Sequence, residues 1–332
     1  VAHLSGEDRG QILLVAAFAL AVIFVAMALI VNSAIFTENL ASRGETSGSD
    51  GALSMRADVA TSVGAGVEAA NRNDNGSVGE LTDAVSASVR NISRQTGRQS
   101  ARSGRVVDVS YQSATEGARI YQSDGTSFAN ASGSDEYLVA GGVSRVTGAN
   151  GTRAFEIDAS SISASDNSSA FTVRVQDTGV ITGNQNSWRA RIWRVDSDTI
   201  HVRTIKSDGG ATSREDCEVT HDSSLSSVRI DLTGGTIEGE SCDALSTGSG
   251  AENFHFGAGA TDTYDITFAN AGNIAGEFSV VVHPGGLLSL PSIDSSVKSD
   301  TALYDVTVRY THYTADLRYA TDLRVAPGEP DV

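Results

Sequence analysis

Lysine is almost missing from this chain. Only Lys206 and Lys298 stand beside 22 arginines, and Asp and Glu outnumber Lys and Arg by 41 to 24, leaving a net charge of −17 over 332 residues. A surface this negative repels a phosphate backbone, so nucleic acid is not expected as a partner. Thiols are as scarce: Cys217 and Cys242 are the whole inventory. Catalytic signatures are missing too. No nucleophile elbow, metalloprotease helix, phosphate loop or zinc-spaced cysteine pair occurs, and the six histidines, His3, His201, His221, His255, His283 and His312, are scattered singly. No enzyme, catalytic residue, metal site or cofactor is therefore expected.

Self-repulsion at this charge is strong in dilute buffer and largely vanishes in molar salt, where the Debye length falls to roughly 3 Å. Acidic, lysine-poor and rich in small residues, the chain resembles haloarchaeal proteins in usage.

The long apolar run is what the chain does have. Residues 12–31, ILLVAAFALAVIFVAMALIV, carry no charge, and a helix of that length rises about 30 Å, the thickness of a bilayer core. The expectation is a retained single-pass anchor: a leader over 1–10, a transmembrane and projecting helix over 11–43, and a large extracellular remainder. After the loop at 44–51, Leu53, Val59, Val63 and Val67, then Val78, Leu81, Val85, Val89 and Ile92, recur at helical spacing. They predict a helical hairpin over 51–104.

From residue 105 the texture changes to short alternating stretches broken by Gly, Asn, Asp and Ser. Nine strands are expected at 106–111, 154–158, 170–175, 188–195, 199–205, 227–232, 264–269, 277–283 and 304–313. The class expected is α+β, with the transmembrane helix and hairpin followed by a mainly antiparallel β-sandwich or jelly-roll-like domain over 105–332.

Cys217 and Cys242 are expected to pair if that domain is outside the cell, stapling a hairpin-sized loop. The alternative is a zinc site using Cys217, His221 and Cys242, for which no fourth ligand stands at suitable spacing. Trp188, Arg189, Arg191, Trp193, Arg194 and Arg203 concentrate positive charge and aromatic rings on two neighbouring strands, types that dominate interface hot spots. They are the candidate partner-binding patch; the plainer reading is cross-strand pairing with Asp196, Asp198 and other local acids. Sequons at Asn75, Asn91, Asn130, Asn150 and Asn167 are candidate glycosylation sites. The run Asn71, Asn73, Asn75 and Gly76 lacks the closing Glu of an EF-hand loop, and Gly64–Ala69 fits a dinucleotide fingerprint with no strand before it.

Arg9, Gly10 and Gln11, immediately before the apolar run, resemble the cleavage region of archaeal type IV prepilins. The stretch DRGQILLVAAFALAVIFVAMALIVNSAIFTENLA is similar to the amino terminus of an uncharacterised haloarchaeal family of pilin-like membrane proteins. That resemblance covers about the first 42 residues. It implies processing between Gly10 and Gln11 by a prepilin peptidase, a membrane partner, other pilin-like subunits, and a structural role in a surface filament or secretion apparatus. Many such pilins carry Glu at the fifth mature position; cleavage after Gly10 puts Val15 there, which points toward a minor or pseudopilin role. The alternative is a membrane-anchored binding or adhesion protein that engages envelope glycans.

Overall fold

Among the described residues, fourteen strands and two helices make up the chain. The computed structural model describes residues 24, 27, 50–72, 76–130, 132–145, 151–178, 186–222, 224–246, 253–261, 263–284 and 293–329. Helix α1 occupies 50–72 and α2 Val78–Ala101. The start of α2 is fixed by a capping box: the Ser77 hydroxyl accepts from the Glu80 amide while the Glu80 carboxylate accepts from the Ser77 amide at 2.8 Å.

Then come β1 (Val106–Gln122), β2 (Tyr137–Val143), β3 (Thr152–Ile162), β4 (Phe171–Asp177), β5 (Ser187–Arg194), β6 (Thr199–Asp208) and β7 (Ala211–Thr220). The remainder are β8 (Val228–Asp231), β9 (Thr236–Ile237), β10 (Glu240–Ser241), β11 (Tyr264–Ala269), β12 (Ile274–Val282), β13 (Lys298–Tyr313) and β14 (Arg318–Val325). They form two sheets, the first in the order β10-β9-β8-β3-β12-β1-β13-β14 and the second in the order β2-β11-β4-β5-β6-β7.

Every pairing between these strands is antiparallel, and alternation of side chains gives each sheet an inner face. Phe155 of β3 and Phe278 of β12 meet Phe268 of β11 across the gap, with ring centroids 6.3 and 5.1 Å away. Phe128 and Phe171 complete this aromatic cluster, and all five rings are buried. Each buried ring contributes about 1.5–3 kcal/mol.

A second core lies on the other face of the first sheet. Val59, Val63 and Val67 of α1 and Leu81, Val85 and Val89 of α2 pack on Val107, Val109, Val306, Val308, Leu323 and Val325. The result is three layers: helices, first sheet, second sheet. Strand β1 takes part in both cores, through Ala118 and Ile120 in the first and Val107 and Val109 in the second. Its partner β13 gives Leu303, Val306, Val308 and Tyr310 to the second and carries a bulge at Tyr304, the residue skipped where Thr115 pairs with Asp305 and Glu116 with Leu303.

This corrects the α+β expectation. Among the described residues 48% are in strands and 22% in helices, because the strands extend beyond the stretches read from the sequence and five more join them. The single-pass anchor is corrected as well. No helix among the described residues is long and apolar enough to cross a membrane. The physical reason is charge: α1 carries Asp50, Arg56, Asp58, Glu68 and Arg72, and α2 carries Glu80, Asp83, Arg90, Arg94 and Arg98. The expected span at 12–31 lies outside the described residues apart from Phe24 and Met27, both helical. A placement with one span in the membrane and the large domain outside is therefore withdrawn.

Candidate functional site

The outer face of the second sheet gathers the arginines of β4, β5 and β6. Residues at i and i+2 of a strand share a face, so Arg189, Arg191 and Trp193 point outward together. Register adds their neighbours: Arg174 of β4 opposes Arg189, Arg203 of β6 opposes Arg191, and His201 opposes Trp193. Trp188 and Arg194 lie on the other side of β5. Trp188 is fully buried, donates its indole N–H to the Phe254 carbonyl at 3.0 Å and packs on Phe256. Of the six residues of the predicted patch, four therefore share the outer face, and Arg174 and His201 join them.

The charges on this face are unevenly matched. Arg174 pairs with Glu136 at 2.7 Å and Arg203 with Asp216 of β7 at 2.6 Å. Arg191 donates to the neutral amide of Asn167 at 3.1 Å. Burial, and then the charges of Arg174 and Arg191, push the Arg189 guanidinium below its ordinary pKa. His201 stacks on Trp193 with centroids 4.0 Å apart, and its two ring nitrogens face Asp216 and Glu218 at 2.9 Å each. Arg203 lies over the outer side of Trp193, 5.7 Å from the ring centroid. Burial pushes the Asp216 carboxyl up, but hydrogen bonds from Arg203 and His201 and their charges outweigh it and hold it below the usual carboxylate range.

Cys217 of β7 is bonded to Cys242, with Cα atoms 5.6 Å apart. The bridge joins the edge strand of the second sheet to the turn after β10, the edge of the first. It closes one side of the sandwich rather than stapling a hairpin. His221, the third ligand of the zinc alternative, is buried with its Nδ1 unpartnered among the described residues. No group of His, Cys, Asp and Glu suited to a metal ion occurs among the described residues.

A second cluster ties the helices to the first sheet. Arg153 is fully buried; its guanidinium contacts Glu68 of α1, the Tyr304 carbonyl, the Leu303 carbonyl at 2.7 Å and the Pro327 carbonyl at 2.9 Å. The Tyr304 hydroxyl donates to Glu329 at 2.7 Å, and Arg324 grips both Glu329 and Asp305. Beside it is a cleft of about 210 Å³ lined by Glu68, Arg72, Arg119, Tyr121, Glu156 and Arg229, among others. Its charges answer one another: Arg229 pairs with Glu156 at 3.2 Å, and Arg119 lies over Tyr121 and donates to Ser279.

A third recess, between β6 and the loop at 253–261, brings Arg145 and Lys206 to His255. Burial, then the charges of Arg145 and Lys206, lower the His255 pKa to about 4.

Of the sequons, Asn91 is an exposed residue within α2 that accepts from Arg94 at 2.6 Å. Asn130 accepts from the amides of Ser132 and Ser134 while donating to Asp294. Asn167 holds Arg191. Asn75 and Asn150, like Gly10 and Gln11, lie outside the described residues.

Residues 6–176 match a family of unknown function, DUF7261. The chain belongs to DUF7261. No curated protein and no solved structure matches it. The DUF7261 match takes in both helices and the strands through most of β4, so within the arginine face it includes Arg174 and ends before Arg189, Arg191 and Arg203.

Proposed function

We propose that the chain is a non-catalytic structural subunit or accessory component of a filament or secretion apparatus, of the pilin-like kind. The observation that carries this reading is the arginine face: four guanidiniums on adjacent strands of a chain whose net charge is −17. Such a face suits a surface that must meet acidic partners repeatedly. The buried Arg153 cluster and the Cys217–Cys242 bridge support it further, because they lock helices and both sheets into a rigid body, and rigid parts assemble at lower entropic cost. The residues that resemble a prepilin amino terminus, Asp8 to Ala41, supply the remaining argument.

The second reading is an adhesion or binding protein that uses the same face on an acidic envelope glycan. It is favoured by Arg174, Arg189 and Arg191, whose charges stand close enough on neighbouring strands for Arg174 and Arg191 to push the Arg189 guanidinium below its ordinary pKa, after burial. One experiment separates the two. Filaments sheared from cells that express the chain should contain it as a repeating component; recovery of the chain only outside any assembly, together with loss of glycan binding on deletion, favours the adhesion reading instead.

A further inference from the structure

A two-fold axis through Arg174, Arg189 and Arg191 is opposed by their charge. A two-fold contact centred on these residues would set Arg174, Arg189 and Arg191 of one copy against the same residues of another. A second copy that docks on these arginines must present acidic groups to them, which a different surface of the chain offers. Contacts between unlike surfaces are heterologous, and unless the rotation closes a ring they propagate as open filaments.

The chain carries such a surface around its disulfide. Glu215 and Glu218 stand within two residues of Cys217, and Glu240 and Asp243 within two residues of Cys242; all four are exposed. Glu218 is engaged with His201, whereas the side chains of Glu215, Glu240 and Asp243 make no hydrogen bond or ion pair among the described residues. The bridge fixes these carboxylates relative to one another by joining the two sheet edges. Arg214, the one basic residue of β7, opposes Ile205 and so lies on the outer, arginine side of the strand, away from Glu215 and Cys217.

We propose that successive copies of this chain associate head to tail, the outer face of the second sheet of one copy, through Arg174, Arg189 and Arg191, receiving the carboxylates at the disulfide-linked edge of the next. This rests on the structural-subunit reading and specifies its contact. An Arg–carboxylate pair is planar and bidentate, so it keeps its directional hydrogen bonds in salt that screens longer-range attraction.

The test is a charge-swap cross in molar potassium chloride, followed by sedimentation of the full chain. Wild type should form polydisperse assemblies. Arg189→Glu/Arg191→Glu and, separately, Glu215→Arg/Glu240→Arg should each raise the concentration needed for assembly by about a hundredfold or more. Mixing the two variants should restore it, since each then offers the other an opposite charge. An unchanged thermal midpoint and an intact Cys217–Cys242 bridge establish that each variant is folded. Assembly of both variants as readily as wild type overturns the proposed contact and leaves the structural-subunit reading standing. Failure of the mixture to recover also overturns the contact. A wild-type chain that stays monomeric overturns both, and does so in favour of the glycan reading if it binds polyuronate in the same salt.

Discussion

Asn71 and Leu303 form a closed pair: the Asn71 amide donates to the Leu303 carbonyl at 2.9 Å and accepts from the Leu303 amide at 2.9 Å. A helix side chain thus occupies the place of a neighbouring strand, at the position where the bulge at Tyr304 breaks the ladder of β1 and β13. Asn71→Ala leaves the buried Leu303 N–H without its partner and should cost about 1–3 kcal/mol. Urea unfolding measures it, and hydrogen exchange should show the Leu303 amide losing protection before its neighbours in β13.

Arg153→Ala should be more damaging. It strands the partly buried Glu68 carboxylate and removes the donors to three carbonyls, a loss of about 3–5 kcal/mol. The double change with Glu68→Ala should recover part of that loss, because the uncompensated charge goes with it. A double-mutant cycle on the unfolding midpoints checks the coupling; simple additivity would mean that the ion pair contributes nothing of its own.

Reducing the disulfide, or Cys217→Ser with Cys242→Ser, should lower stability by about 3–4 kcal/mol on the chain-entropy account for a separation of 25 residues. Both sheet edges should loosen. Limited proteolysis of the reduced chain is expected to cut first near β7 and the turn after β10.

Stability should fall as pH drops from about 6.5 toward 4. His255 is buried, with its pKa lowered to about 4 by burial and then by Arg145 and Lys206, so the unfolded chain takes up a proton that the folded chain refuses. Its contribution is fully present above the unfolded pKa near 6.5 and is lost progressively below it, to about 3 kcal/mol. His312 acts in the same direction: burial, then Arg105, lowers its pKa, and neither ring nitrogen has a partner among the described residues. Thermal midpoints over this range should be flatter for His255→Gln and for His312→Phe than for wild type.

With a net charge of −17, the unfolding midpoint should rise as potassium chloride is raised from millimolar to molar, as screening removes carboxylate repulsion. A flat or falling midpoint would contradict the salt-adapted reading of the composition.

The strands visible in the sequence were those with one apolar face. WRARIWR and TIHVRTI alternate Trp, Ala, Ile and Val with polar residues, and both became strands of the second sheet. Strand β7, ATSREDCEVT, was not legible because it is an edge strand whose one buried side chain is Val219, with Cys217 beside it on the inner face and mostly polar residues elsewhere. Strand β2 is interrupted by Gly141 and Gly142, and β14 is half exposed. In the candidate site, positive charge was legible and its division between faces was not drawn from the spacing. Trp188 and Trp193 are five apart, an odd number, so on one strand they must point to opposite sides. Arg174, His201 and Asp216 come from other strands, and only register brings them to Arg189 and Arg203. The disulfide pairing was legible, but its span was not, because β8 to β10 leave the second sheet and join the first.

Strand β1 belongs to two cores at once, and this governs how the chain comes apart. Neither core can melt while leaving the other intact, because β1 is common property and is hydrogen-bonded on either side, to β12 and to β13; heat should therefore produce one transition rather than two. The same sharing makes the β portion poor material for isolation. Cut free at residue 105, it would turn Val107, Val109, Val306, Val308 and Leu323 out to water as a continuous apolar surface, and such a fragment should aggregate even though every strand of the sandwich is still present.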